Sequence, residues 1–167
     1  LQAAAMALIS GDEPNVLDSI RRQLRKSVDI HTAASGDEAL RLLQELGPVA
    51  LVVSDMRMPG MTGAELLARV RDLYPDTVRM ILSGQADLES TISAVNEGHI
   101  FRFLTKPCGE DSLRNAVAAG IEQYGLVTTR KELLEKTLQG LIETLNDILG
   151  LTNPMARRRT ARVRQYA

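Results

Sequence analysis

The chain is predicted to be an α/β protein with a mainly parallel sheet buried between two helical layers. Three observations carry this prediction. Short apolar runs alternate with helical patterns five times, each run ends in a polar or turn-forming residue, and the central run is apolar almost throughout. Five strands joined by helices require right-handed crossovers, which place helices on both faces of the sheet.

The first run, Met6 to Ile9, is closed by Ser10, Gly11, Asp12, Glu13 and Pro14. Pro14 with acids just before it starts a helix that Val16, Leu17, Ile20 and Leu24 continue at helical spacing. Val28 to Ala33 is a modest second strand. Ser35 and Glu38 form a capping box, Ala39, Leu42, Leu43 and Leu46 give an amphipathic helix, and Gly47 can end it.

The central run, Val49 to Ser54, lies between Pro48 and Pro59 and stops at Asp55. A β-branched run this short suits a parallel strand covered on both faces, although periodicity alone leaves a buried helix open. Thr62 and Glu65 open a helix through Leu66, Leu67, Val70 and Leu73 to Tyr74, stopped by Pro75. Thr77 to Leu82 reads as a strand ending at Ser83 and Gly84, and a helix follows from about Asp87 to Gly98. Ile100 to Leu104 is the fifth strand, terminated by Thr105, Lys106 and Pro107.

Composition narrows the function. Only 3% of the 167 residues are aromatic and Trp is absent, so the core is aliphatic and no base-stacking platform for nucleic acid is available. A net charge of -1 supplies no field toward nucleic acid or acidic membranes. The single Cys108 forms no internal disulfide, and the apolar start, Leu1 to Ile9, is too short to span a bilayer, so a cytoplasmic location is expected.

In an open parallel sheet, ligands bind beyond the carboxyl ends of the strands. Asp12, Asp55, Ser83 and Lys106 each fall just past a different strand and converge on one rim. Singly, each has a plainer role: Asp12 and Asp55 as caps, Ser83 as a turn residue, Lys106 as a solvated charge. Together they suit phosphoryl transfer to a carboxylate nucleophile, Asp55. Mg²⁺ favours one or two carboxylates plus water and phosphate oxygens, which Asp12 and Asp55 could supply. Lys106 would stabilise the charge on the transferring group, and the Ser83 hydroxyl could hydrogen-bond one of its oxygens.

Gly11-Asp12-Glu13-Pro14-Asn15, the stretch Ser54 to Gly63, Ser83-Gly84 and Lys106-Pro107 together resemble the receiver domain of bacterial two-component response regulators, over about residues 4 to 124. The resemblance implies a flavodoxin-like doubly wound sheet in the order 2-1-3-4-5 that takes a phosphoryl group from a sensor histidine kinase. By position it implies Asp55 as phosphoacceptor, Asp12 as a direct Mg²⁺ ligand and Arg57 as the residue whose backbone carbonyl completes the metal site. Ser83 corresponds to the hydroxyl that turns toward the phosphoryl group, Lys106 to the family's lysine, Pro107 to a cis-prone turn and Phe103 to an aromatic side chain that swings inward. Arg57 and Gln85 flank the site. The family usually has two adjacent acids after the first strand, and here the first is Gly11, so one cation-attracting charge is lost.

Two rivals are weighed against this reading. A phosphatase with an Asp nucleophile usually carries a second acid two residues on, where this chain has Arg57. A phosphorylation-independent pseudo-receiver, serving as a dimerising or protein-binding module, is supported by Gly11.

The chain is divided as 1–124 receiver and 125–167 helical connector. From Leu113, positions alternately four and three apart run through Val117, Gly120, Tyr124, Val127, Lys131, Leu134, Leu138, Leu141 and Leu145 to Ile148, and nine of the eleven are apolar. A long C-terminal helix with a seam for a partner is expected, and a homodimer through it. Gly120 and Lys131 weaken the seam, Gly125, Thr128 and Thr129 allow a break, and an intramolecular helix hairpin stays open. The basic run Arg157, Arg158, Arg159, Arg162 and Arg164 is read as a solvated face or a fragment of something larger, with nucleic acid disfavoured as a partner. Lys136 to Leu149, Asn153-Pro154 and Arg162-Val163 are similar to the opening of an HD-type phosphohydrolase output domain. That output would be cut off here, since His31 and His99 are the only histidines and both lie in the receiver.

Overall fold

The computed structural model describes residues 6–11, 17, 18, 20–22, 28–84 and 100–152; side chains at 110 and 150–152 are not described. Five strands form one parallel sheet: β1 (Met6–Ser10), β2 (Asp29–Ala33), β3 (Leu51–Asp55), β4 (Val78–Ser83) and β5 (Arg102–Thr105). Their order is β2-β1-β3-β4-β5, and every pairing is parallel, as the flavodoxin-like expectation requires. The described helices are α1 (Gly36–Leu46), α2 (Gly63–Leu73) and α3 (Glu110–Thr152), with further helical residues at 17, 18 and 20–22.

Alternation along the strands divides the core in two. Ala7, Ile9, Leu51, Val53, Met80 and Leu82 face one side and pack with Leu17, Ile20, Leu113, Ala116 and Val117. Leu8, Val52 and Ile81 face the other and pack with Ala39, Leu43, Leu66, Leu67 and Val70. Both faces are covered, so the central strands read as continuous apolar runs. Each fully buried Leu, Ile or Val contributes roughly 1.5–3 kcal/mol of transfer free energy, which makes this two-sided burial the main force aligning the strand tips.

The local signals act as expected, with corrections of detail. Thr62 and Glu65 form a reciprocal capping box on α2. At α1 the Ser35 hydroxyl accepts from the Glu38 amide, whereas the Glu38 carboxylate accepts from Ala34 N at 2.8 Å instead of from Ser35. Gly47 closes α1 at a φ of 79°. β5 begins at Arg102, with Phe101 N donating to Arg79 O of β4 just before it and Ile100 preceding the ladder. Gly120, read as a flaw in the seam, is a point of close approach: a Cβ there would sit 2.7 Å from Met80 Cε and 3.2 Å from Leu51 Cδ1.

The chain divides into two compact units, Leu1–Val127 and Thr128–Ala167. Gly125, Thr128 and Thr129, which allow a break, lie within the helix α3. In the second unit Leu134, Leu138, Leu141, Leu145 and Ile148 are each more than half exposed. Among the described residues no helix is long and apolar enough to cross a membrane. The expected first-helix start at Pro14, the helix from Asp87 and the basic run after Pro154 lie outside the described residues.

Candidate functional site

β3 ends on Asp55, whose neighbours on both sides are strands, so the carboxylate is delivered to the carboxyl rim of the sheet at 7% exposure. Its position is fixed from below by the ladder, with Asp55 paired to Leu82 and the next amide, Met56 N, donating to Leu82 O at 2.8 Å. Asp55 Oδ1 accepts from Arg57 N at 3.3 Å. Asp55 Oδ2 forms an ion pair with Lys106 Nζ, reached across 51 residues of sequence.

Lys106 is brought there by β5. Ser83 pairs with Thr105, and Lys106 N donates to Ser83 O at 2.8 Å, so the tips of β4 and β5 are tied by backbone. The peptide that follows, Lys106-Pro107, is cis. Ser83 is fully buried and its hydroxyl donates to Gly84 O at 3.2 Å. Phe103, two residues before Thr105, is half-buried against the cluster that contains Ile81 and Met58. Arg57 is exposed. Asp12 and Gln85 lie outside the described residues. Of the sequence-predicted site residues, the structure therefore brings Asp55, Lys106, the Arg57 amide and the Ser83 backbone together.

Two positions in the loop after β3 call for glycine, for different reasons. Gly60 has a φ of 81°, which favours glycine. A Cβ on Gly63 would lie 2.1 Å from Asp55 O and 2.9 Å from Ser54 Oγ, so only glycine lets α2 start this close to the strand tip. Gly63 N in turn donates to Met56 O at 3.0 Å. Sequence reading passed over two further residues here: Ser10 and Ser54 are buried and hydrogen-bonded to each other at 3.0 Å. The available signal was a hydroxyl at the last position of two adjacent apolar runs.

Two ionisable groups beside the site are displaced. Hydrogen bonds from Thr62 hold the Glu65 carboxyl below the usual carboxylate range. Burial pushes the Cys108 thiol up, which opposes formation of a thiolate two residues from Lys106.

Ser10, Gly11, Asp55 and Lys106 border one concavity, together with Leu17 and Leu82. Among the described residues its polar side chains are the Asp55 carboxylate, the Lys106 ammonium and the Ser10 hydroxyl. Among the described residues no three His, Cys, Asp or Glu side chains gather to hold an ion. A hard cation held by few protein oxygens, with water and a phosphate completing its shell, fits this donor set; a soft metal does not.

Comparison with known proteins agrees with the geometry. Residues 7–118 match the model of the response regulator receiver domain. The hydrogenase transcriptional regulatory protein HoxA of Cupriavidus necator is 35% identical over 157 residues, which is 94% of this chain and 30% of that protein. The chain thus spans less than a third of this curated relative. A solved structure of adenylate cyclase from Rhodopirellula baltica is similar with a TM-score of 0.77 and 40% identity, covering 80% of this chain and 99% of that one. The signal receiver domain of an HD domain-containing protein from Pseudomonas fluorescens Pf-5 has a TM-score of 0.73 and 31% identity, covering 78% of this chain and 96% of that one.

Proposed function

We propose, from the premise that this chain belongs to the response regulator receiver domain family, that it is switched by phosphorylation of Asp55 by a sensor histidine kinase. The observation that carries the proposal is the Asp55–Lys106 ion pair at the adjoining tips of β3, β4 and β5. An Asp55 oxygen attacks the phosphorus of a phosphohistidine; the P–O bond forms as the P–N bond breaks, and the leaving imidazole keeps the electron pair and takes up a proton. Lys106 meets the negative charge that spreads over the phosphoryl oxygens in this step. The Arg57 amide, already on Asp55 Oδ1, orients the attacking carboxylate.

Asp55, Asp12 and the Arg57 carbonyl are the groups that would hold Mg²⁺. When bound, the ion neutralises phosphoryl charge as a Lewis acid. Ser83 is the hydroxyl that turns toward the phosphoryl group, and Phe103, half-buried two residues before the β5 tip, follows it inward. Phosphorylation then shifts a pre-existing equilibrium of this surface.

The chain acts as a phosphoacceptor, not as a turnover enzyme, in a cytoplasmic signalling pathway. Its output lies beyond the receiver, which ends near residue 124. The exposed leucines of the second unit support a homodimer through residues 134–148, within the connector 125–167, whose HD-type similarity points to the output class. The names of the relatives, a transcriptional regulatory protein, an adenylate cyclase and the receiver domain of an HD domain-containing protein, differ in the activity they state, so they favour no single output.

Incubation with acetyl phosphate and Mg²⁺ followed by intact-mass measurement tests the proposal. A stable gain of one phosphoryl group, lost in Asp55→Asn, supports the switch. Donor hydrolysis without accumulation supports a phosphatase, and no reaction supports the phosphorylation-independent module that Gly11 favours.

A further inference from the structure

We infer that the buried Ser10–Ser54 hydroxyl pair positions the phosphoacceptor by locking the tips of β1 and β3 and the peptide plane that follows Asp55. The inference rests on the reading of Asp55 as phosphoacceptor and adds two residues to which that reading assigns nothing.

Ser10 and Ser54 are at 1% and 0% exposure and are directly opposite each other in the β1–β3 ladder. They occupy the sheet face that carries Leu8 and Val52, where neighbouring positions are apolar. A hydroxyl in such a place is unfavourable unless it is hydrogen-bonded. Here the two satisfy each other in a directed chain: Ser10 Oγ donates to Ser54 Oγ at 3.0 Å, and Ser54 Oγ donates to the Asp55 carbonyl at 3.0 Å. Ser54 Oγ also lies 3.9 Å from Met58 Sδ, on the loop that carries Arg57.

The chain ends on the atom that matters. The Asp55 carbonyl belongs to the peptide leading to Met56, and its plane sets where Arg57 N meets Asp55 Oδ1, at 3.3 Å. Gly63 packs against the same carbonyl and the same hydroxyl, since a Cβ there would lie 2.1 Å from Asp55 O and 2.9 Å from Ser54 Oγ. The absence of a side chain at Gly63 therefore leaves the room in which the Ser54 hydroxyl reaches the Asp55 carbonyl. At its other end the chain begins on the residue before Gly11, whose amide donates to Ala33 O at 3.1 Å and which leads into Asp12. One side-chain chain thus couples the two strand tips whose following residues form the proposed phosphoryl site. Apolar side chains would fill the same space without fixing the plane.

The test compares wild type with Ser10→Ala, Ser54→Ala and the double variant, measuring the acetyl phosphate labelling rate and the melting temperature. Removing one partner of a buried hydrogen bond strands the other, whereas removing both is close to neutral for stability. Ser54→Ala frees the Asp55 carbonyl and is expected to lower the limiting labelling rate about tenfold, as misplacement of a reacting group does. The donor concentration for half-maximal rate stays unchanged, because both hydroxyls are buried and committed to the chain. Ser10→Ala leaves the Ser54–Asp55 bond and slows labelling less. In the double variant the Ser10 hydroxyl is no longer stranded, so the melting temperature rises above that of Ser54→Ala, while labelling stays slow because the Asp55 carbonyl still lacks its donor. A labelling rate that recovers with the melting temperature, or that none of the variants changes, overturns the inference while Asp55 phosphorylation stands. Absence of label on wild type overturns both.

Discussion

Replacing Gly11 by aspartate restores a charge beside Asp55, and its consequences follow from the local geometry. A Cβ at Gly11 would lie 3.6 Å from Leu17 Cδ2 and 3.7 Å from Asp55 Cβ, both ordinary contact distances, so a Cβ is accommodated there without displacing its neighbours. Two carboxylates about 5 Å apart repel by about 3 kcal/mol at an effective dielectric constant of about 20. Lys106 on Asp55 offsets part of this, so the Mg²⁺-free variant is expected to be less stable by about 1–2 kcal/mol. A divalent cation attracts the added carboxylate more strongly than Asp55 repels it. Mg²⁺ binding should therefore tighten about tenfold, or about 1.4 kcal/mol. Melting curves over a Mg²⁺ series measure both effects, because ligand binding to the native state raises the midpoint by mass action. The variant should start lower and climb more steeply than wild type, and acetyl phosphate should label it faster. Identical Mg²⁺ dependence and equal labelling rates would refute the reasoning that Gly11 leaves the cation site short of charge.

Lys106→Ala removes the partner of a nearly buried carboxylate; stability at pH 7 should fall by about 1–3 kcal/mol in urea unfolding, and phosphorylation should slow. Leu138→Glu with Leu145→Glu places charge in the exposed seam of the second unit and should convert a dimer into a monomer by light scattering, leaving Asp55 labelling intact. The Glu65 carboxyl is held low by Thr62, so its folded pKa lies below its unfolded one. Its contribution is complete above the unfolded value and is lost as pH falls through the folded one. Glu65→Gln should flatten that acid limb of the stability profile measured by thermal unfolding.

The sheet was legible because its determinants are local and repeated. The run ending at Asp55, the Thr62–Glu65 box and Gly47 each specify one conformation, and together they leave few topologies. The convergence of Asp55 and Lys106 was legible from strand-end logic alone, since any parallel sheet gathers those ends. What was hidden depended on register. Ser10 and Ser54 look like the polar stops of two strands until the pairing sets them opposite each other on a covered face. Gly120 was misread for a similar reason: the seam pattern counts it as a missing side chain, whereas Met80 and Leu51 on the sheet require that absence. Ile100 and Phe101 have strand composition but precede the ladder, because β5 pairs only from Arg102, opposite Met80.

The most direct test of the account is chemical location of the phosphoryl group. After labelling with acetyl phosphate and Mg²⁺, borohydride reduces an aspartyl phosphate to homoserine, and peptide sequencing reads the converted position. The account predicts homoserine at residue 55 and unmodified carboxylates elsewhere. Conversion at another acid, or phosphate retained on a serine such as Ser83, would contradict it.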